Sequence, residues 1–119
     1  MMTTYDAPQR REQLRDGLRT LHKAIPDQMR GFSDLHGAAM ADGALSTREK
    51  ELMALAIGIC QHCADCITLH VHDALRAGAT PEQINETVGV AIVMGGGPAS
   101  VYATLVTDAL EQFSAVAVP

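Results

Sequence analysis

No stretch of this chain alternates apolar and polar residues as a strand would. Its apolar positions fall in blocks closed by proline, glycine or a capping residue, and each block reads as a helix. A first helix is predicted from about Arg10 to Ala24; it stops before Pro26, because the residue preceding a proline leaves the helical region. A second runs from about Pro26 to Ala41, with Leu35, Ala38 and Ala39 as apolar contacts, and ends near Gly43. Ser46-Thr47-Arg48-Glu49 is an S-x-x-E capping box, which makes Ser46 the N-cap of a third helix. From Leu52 to Cys60 that helix is apolar all the way round, so it is expected to be buried on every side, within the domain or between subunits. A fourth helix covers about Cys63 to Ala77, with Gly78 as its stop. Thr80-Pro81-Glu82-Gln83 opens a fifth, with Thr80 as cap, Pro81 in the first turn and Gln83 closing a second box. It reaches about Met94, Gly95–Pro98 form a turn, and a sixth helix follows from about Ala99 to Ala115. The fold class read from this pattern is all-α, a single domain over residues 1–119 built from about six helices.

Composition adds the environment. The chain has 119 residues, enough for one domain and too short for two ordinary ones. Ala, Leu and Met dominate while aromatics are 3%, which favours helices over strands. Hydrophobic residues are 47% and charged ones 19%, a lean surface for a small domain that keeps much of its area exposed. Part of that surface is therefore expected to be covered by other subunits, in a homo-oligomer. The net charge of −5, and acids interleaved among the basic residues of Arg10 to Arg30, argue against a nucleic-acid partner. The first thirty residues are polar and lack the apolar stretch of a signal peptide. The uncharged run from Thr87 to Thr107 is interrupted by three glycines and Pro98, which would break a spanning helix. The expectation is a soluble, cytoplasmic protein without a membrane partner.

Candidate chemistry concentrates in one place. Cys60, Cys63 and Cys66 fall within seven residues, a poor disulfide framework for a secreted domain but a spacing suited to redox or metal chemistry. At about 100° per residue, Cys63, Cys66 and His70 share one helical face, with Cys66 and His70 one turn apart. A cysteine at a helix start has its thiolate favoured by the macrodipole, and C-x-x-C thiols commonly have pKa values of roughly 3.5–7.5. A neighbouring histidine can take and return a proton near neutral pH. Glu51, twelve residues before Cys63, lies in the apolar stripe of the preceding helix beside Leu55 and Gly58, where a carboxylate needs a partner. If the two helices fold back antiparallel that partner is His70, giving a Glu51–His70–cysteine relay. A rival reading is metal binding. Cys60-x2-Cys63-x2-Cys66 is similar to the cysteine run of iron–sulfur proteins, and Cys63, Cys66 and His70 could hold zinc. Cys60 projects about 180° from Glu51 on the apolar helix and reads as core, however, and a fourth thiolate is absent, so no metal is expected. His72, about 160° from His70, reads as surface. His22 and His36 read as structural, with His36 the one that could line a substrate pocket. The Gly95–Gly97 run lacks the Lys-Ser/Thr of a phosphate loop.

Glu51-x11-Cys63-Ala-Asp-Cys66-x3-His70, followed by Ala77-Gly78-Ala79-Thr80-Pro81-Glu82, resembles the carboxymuconolactone decarboxylase family, and within it the alkylhydroperoxidase D (AhpD)-like branch. The resemblance covers about Phe32 to Leu110. It implies an all-helical subunit assembling into trimers or hexamers, with a peroxide-reducing dithiol. Cys66 would attack the peroxide, Cys63 would resolve the sulfenic acid as a disulfide, and Glu51 and His70 would support proton transfer. No metal, flavin or haem is implied. The partners would be a hydroperoxide substrate and a thioredoxin-like or dihydrolipoyl reductant. Some members of that branch place a second histidine between the cysteines, where this chain has Asp65, an acid that opposes thiolate formation; His62 is the adjacent substitute. Two other readings are a lyase acting on a lactone, like the family's namesakes, and a non-catalytic redox or metal-binding module.

Overall fold

The computed structural model describes residues 5–116, and they form five helices: α1 Ala7–Ala24, α2 Pro26–Met40, α3 Thr47–Cys60, α4 Ala64–Arg76 and α5 Pro81–Ser114. α1 begins three residues before the predicted start, because Asp6 caps it by accepting a hydrogen bond from the Gln9 amide at 3.0 Å and Pro8 fits its first turn. Both predicted capping boxes are present, Ser46 with Glu49 on α3 and Thr80 with Gln83 on α5. α3 ends where His62 turns into the left-handed region at φ 57°.

The predicted fifth and sixth helices run on as α5, and the expected four-residue turn shrinks to a break at Gly96. Its φ of 74° and ψ of −157° lie in a region essentially restricted to glycine, and Pro98 opens the second half of the helix. α5 is long and apolar enough to cross a membrane by length and composition. Here it packs instead on α3 and α4 in a body of 44 × 38 × 28 Å.

α3, α4 and α5 pack against one another around Leu55, Ile59, Ile67, Val71, Ile84 and Val106, all buried. α1 lies across α4 and α5. α2 leans on α1 and touches α3, and buries none of its own residues. α3 is thus buried on one side only: Glu51, Leu55, Gly58 and Ile59 face inward, whereas Met53 and Ile57 are exposed. His72 corrects its surface reading. It is fully buried, because α4 is covered on both sides, by α3 on the His70 face and by Phe113 of α5 on the other, edge-on to the imidazole at 5.4 Å.

Candidate active site

Cys63 is the N-cap of α4, and its Sγ accepts a hydrogen bond from the Cys66 amide at 3.1 Å. The positive end of the helix therefore falls on the first cysteine of the pair. Cys63 and Cys66, both half-buried, are joined in a disulfide. The helix carrying them lies close to α3 because Gly58 has no side chain; a Cβ there would stand 3.1 Å from the Cys66 Cβ.

One turn beyond Cys66, the His70 Nδ1 stands 2.8 Å from Oε2 of Glu51. α3 and α4 thus fold back on each other and bring the carboxylate to the histidine across 19 residues of sequence. Glu51 is only 4% exposed, and His70 meets the requirement that a buried carboxylate be hydrogen-bonded. The two residues line different cavities. One, of about 430 Å³, is lined by Glu51, Thr47 and Arg76; the other, of about 440 Å³ between α1, α2 and α4, is lined by His70, Leu69 and Phe32. Asp73 and His36 line both, which places His36 at a pocket wall, and His22 lines the second.

Asp65, between the cysteines, is not an isolated negative charge. Arg10 of α1 donates to both of its oxygens at 2.9 Å, and the Tyr5 hydroxyl lies 3.2 Å from Oδ1 and 2.8 Å from Thr68 Oγ1. The hydrogen bonds from Arg10 hold the Asp65 carboxyl below the usual carboxylate range, outweighing the upward push of partial burial. The guanidinium faces the same acid that was expected to oppose thiolate formation, and offsets its field at the dithiol. Neither Arg10 nor Tyr5 stood out in the sequence, and the Asp6-Ala7-Pro8 helix start that positions them was the available signal. The ring of His62 stacks in parallel on Tyr102 of α5 at 4.8 Å.

As metal ligands, Glu51, His70 and Asp73 bring donor atoms within 4.8 Å of one another. Two of these donors already serve protein partners: Glu51 holds His70, and Asp73 holds Nδ1 of His72 at 2.8 Å. The cysteines of the zinc set are bonded to each other and offer no thiolate in this form. The Cys60 thiol is turned toward α5, 3.4 Å from the Ala91 carbonyl, against the core as expected.

The profile of the Carboxymuconolactone decarboxylase family matches residues 26–109, from α2 into the second half of α5. This chain belongs to that family. An uncharacterized protein of Cupriavidus necator is 41% identical over 96 residues, covering 81% of this chain and 82% of its own. A carboxymuconolactone decarboxylase family protein from Legionella pneumophila, solved in its apo form, is 38% identical with a TM-score of 0.87, over 91% of this chain and 96% of that one. A Thermotoga maritima family protein is 27% identical with a TM-score of 0.80, over 88% and 90% of the two chains. Carboxymuconolactone decarboxylase family members are enzymes, decarboxylases or peroxidases, and this member carries a close cysteine pair beside its Glu51–His70 contact. α1, which holds Asp65 through Arg10, lies outside the family match.

Proposed function

We propose that this protein is a thiol-dependent peroxidase of the AhpD-like branch, cycling between a Cys63/Cys66 dithiol and a disulfide. The observation that carries the reading is the juxtaposition, on one end of α4, of a C-x-x-C pair within disulfide-bonding reach and, one turn away, a histidine held by the buried Glu51 carboxylate. The Thermotoga maritima relative, for which involvement in an antioxidative response has been suggested, points the same way.

In the forward step the Cys66 thiolate attacks the terminal oxygen of a hydroperoxide, an S–O bond forms and the O–O bond breaks. Cys66 becomes a sulfenic acid, and the alkoxide leaves as an alcohol on taking a proton from His70, whose ring Glu51 orients. The Cys63 thiol then gives its proton to His70 and its sulfur attacks the Cys66 sulfur, so that the S–S bond forms as the S–O bond breaks; the hydroxide released takes that proton from His70 and leaves as water. An external dithiol of the thioredoxin-like or dihydrolipoyl kind reduces the disulfide by exchange and is itself oxidised. No metal, flavin or haem enters the cycle, and the reading places the protein in a reducing compartment such as the cytoplasm.

The test counts free thiols and intact mass before and after near-stoichiometric tert-butyl hydroperoxide, on reduced wild type and Cys66→Ser. Wild type is expected to fall from its three cysteine thiols to one with the loss of two hydrogens, which Cys66→Ser cannot show. Survival of all three thiols would overturn the peroxidase reading and move the lyase reading of the family's namesakes ahead of it.

A further inference from the structure

The cavity between α1, α2 and α4 contains a charge that the dithiol cycle does not use. α1 turns one face toward it, with Arg11, Arg15 and Leu18 at helical spacing, so two guanidiniums and an apolar side chain line one wall. Met29 and Phe32 of α2 and Leu69 of α4 supply an apolar lining, and His70 opens onto the same space, as does Asp73, whose Oδ1 is engaged with His72 Nδ1 at 2.8 Å. The Arg11 side chain is only 12% exposed. Among the described residues it makes no hydrogen bond, and its ion contact is a 3.6 Å approach to its neighbour Glu12, which is itself well exposed. Burial pulls the Arg11 guanidinium below its usual range; Arg15 adds to the effect and Asp73 works against it. A largely buried guanidinium without a hydrogen-bonded anion is unfavourable unless something fills the place, and the forked donor set of arginine matches a carboxylate.

We infer that the cavity is the substrate pocket and that it selects an organic hydroperoxide bearing a carboxylate on an apolar body, with Arg11 and Arg15 receiving the carboxylate. This rests on the peroxidase reading and adds the substrate class. The hydrocarbon lies along Leu18, Phe32 and Leu69, and the peroxide is presented at the His70 end, one helical turn from Cys66. Both arginines sit on α1, which precedes the family match at residues 26–109.

The test compares the rate of Cys66 oxidation in the reduced full-length protein by linoleic acid hydroperoxide, by its methyl ester and by tert-butyl hydroperoxide. The acid is expected to outrun the ester by at least about tenfold in wild type, the scale of one lost charge-assisted hydrogen bond. That ratio is expected to collapse toward one in Arg11→Gln and to shrink in Arg15→Gln. Equal rates for acid and ester in wild type, with Cys66 oxidised by all three, overturn carboxylate selection and leave the peroxidase reading standing. Oxidation by none of the three overturns the peroxidase reading, and the substrate assignment falls with it. Calorimetric titration of wild type with the non-peroxidic hydroxy-linoleic acid and its methyl ester decides anion recognition apart from the chemistry: equal binding of the two overturns it.

Discussion

Glu51 and Asp65 are two carboxylates in the same small region with opposite legibility. The partner of Glu51 was readable, because an acid inside an apolar helical stripe needs a nearby donor and His70 lies on the adjoining helix. The partner of Asp65 was not, because Arg10 stands 55 residues away on a helix whose path across α4 no local pattern announces. His72 was misread for a related reason: helical phase separates it from His70 but does not say that α5 covers the other face. The Arg10–Asp65 pair makes a prediction about acid. Its hydrogen bonds lower the folded-state pKa of Asp65, so the stability it adds is fully present above the ordinary carboxylate range and is lost as pH falls through the lower, folded value. Arg10→Gln is therefore expected to melt at a lower temperature than wild type at pH 7, with the gap closing as pH drops below about 4. Thermal melts at stepped pH check this; a gap of constant size down to pH 3 would assign the loss to packing of α1 instead of to charge.

At the scale of elements, the helix starts were the most legible feature, since a capping residue and its partner three positions on form a local device. Less legible was how tightly two helices approach. Gly58 reads as an ordinary small residue in an apolar run, yet it is where α3 meets the helix that holds the dithiol. Nor did the run Gly95-Gly96-Gly97-Pro98 show that only Gly96 leaves helical geometry, because three consecutive glycines suit a longer turn equally well. Gly58→Ala would set a methyl 3.1 Å from the Cys66 Cβ and 3.8 Å from its carbonyl carbon. These neighbours are a short side-chain root and backbone, which cannot swing aside, so α4 must shift as a body. The expected cost is about 1–3 kcal/mol in denaturant unfolding, the usual penalty for overpacking. Because the shift displaces Cys66 relative to Glu51, peroxide reactivity of the thiols is expected to fall as well. A variant of wild-type stability would mean that the α3–α4 contact is looser than its geometry.

For the molecule as a whole, the lean charge content predicts covered surface, and the apolar residues left outside the core are the candidates for it. Val90 and Met94 of α5 stand beside Ile57 of α3 around one shallow cleft, and Val93, on the same helix, is 83% exposed. Leu35, 66% exposed and outside the substrate cavity, is a second apolar exposure, on α2, the helix that buries nothing of its own. Contiguous apolar surface of this kind marks contact with other chains, and two unlike patches restrict how copies can assemble. If one patch of each copy meets the other patch of the next, the contact is heterologous, and where the rotation closes it gives a ring such as the expected trimer. If each patch meets its own kind or serves a separate contact, losing one leaves a smaller but intact assembly, as a hexamer reduced to trimers would. Sedimentation of Val93→Glu and Leu35→Glu at micromolar concentration separates the cases. Both variants running as helical monomers point to a single ring contact built from the two patches, while a trimer from one and a monomer from the other points to a hexamer with two kinds of interface. A wild-type chain that itself sediments as a monomer would remove oligomerisation from the reading and leave both patches needing another partner.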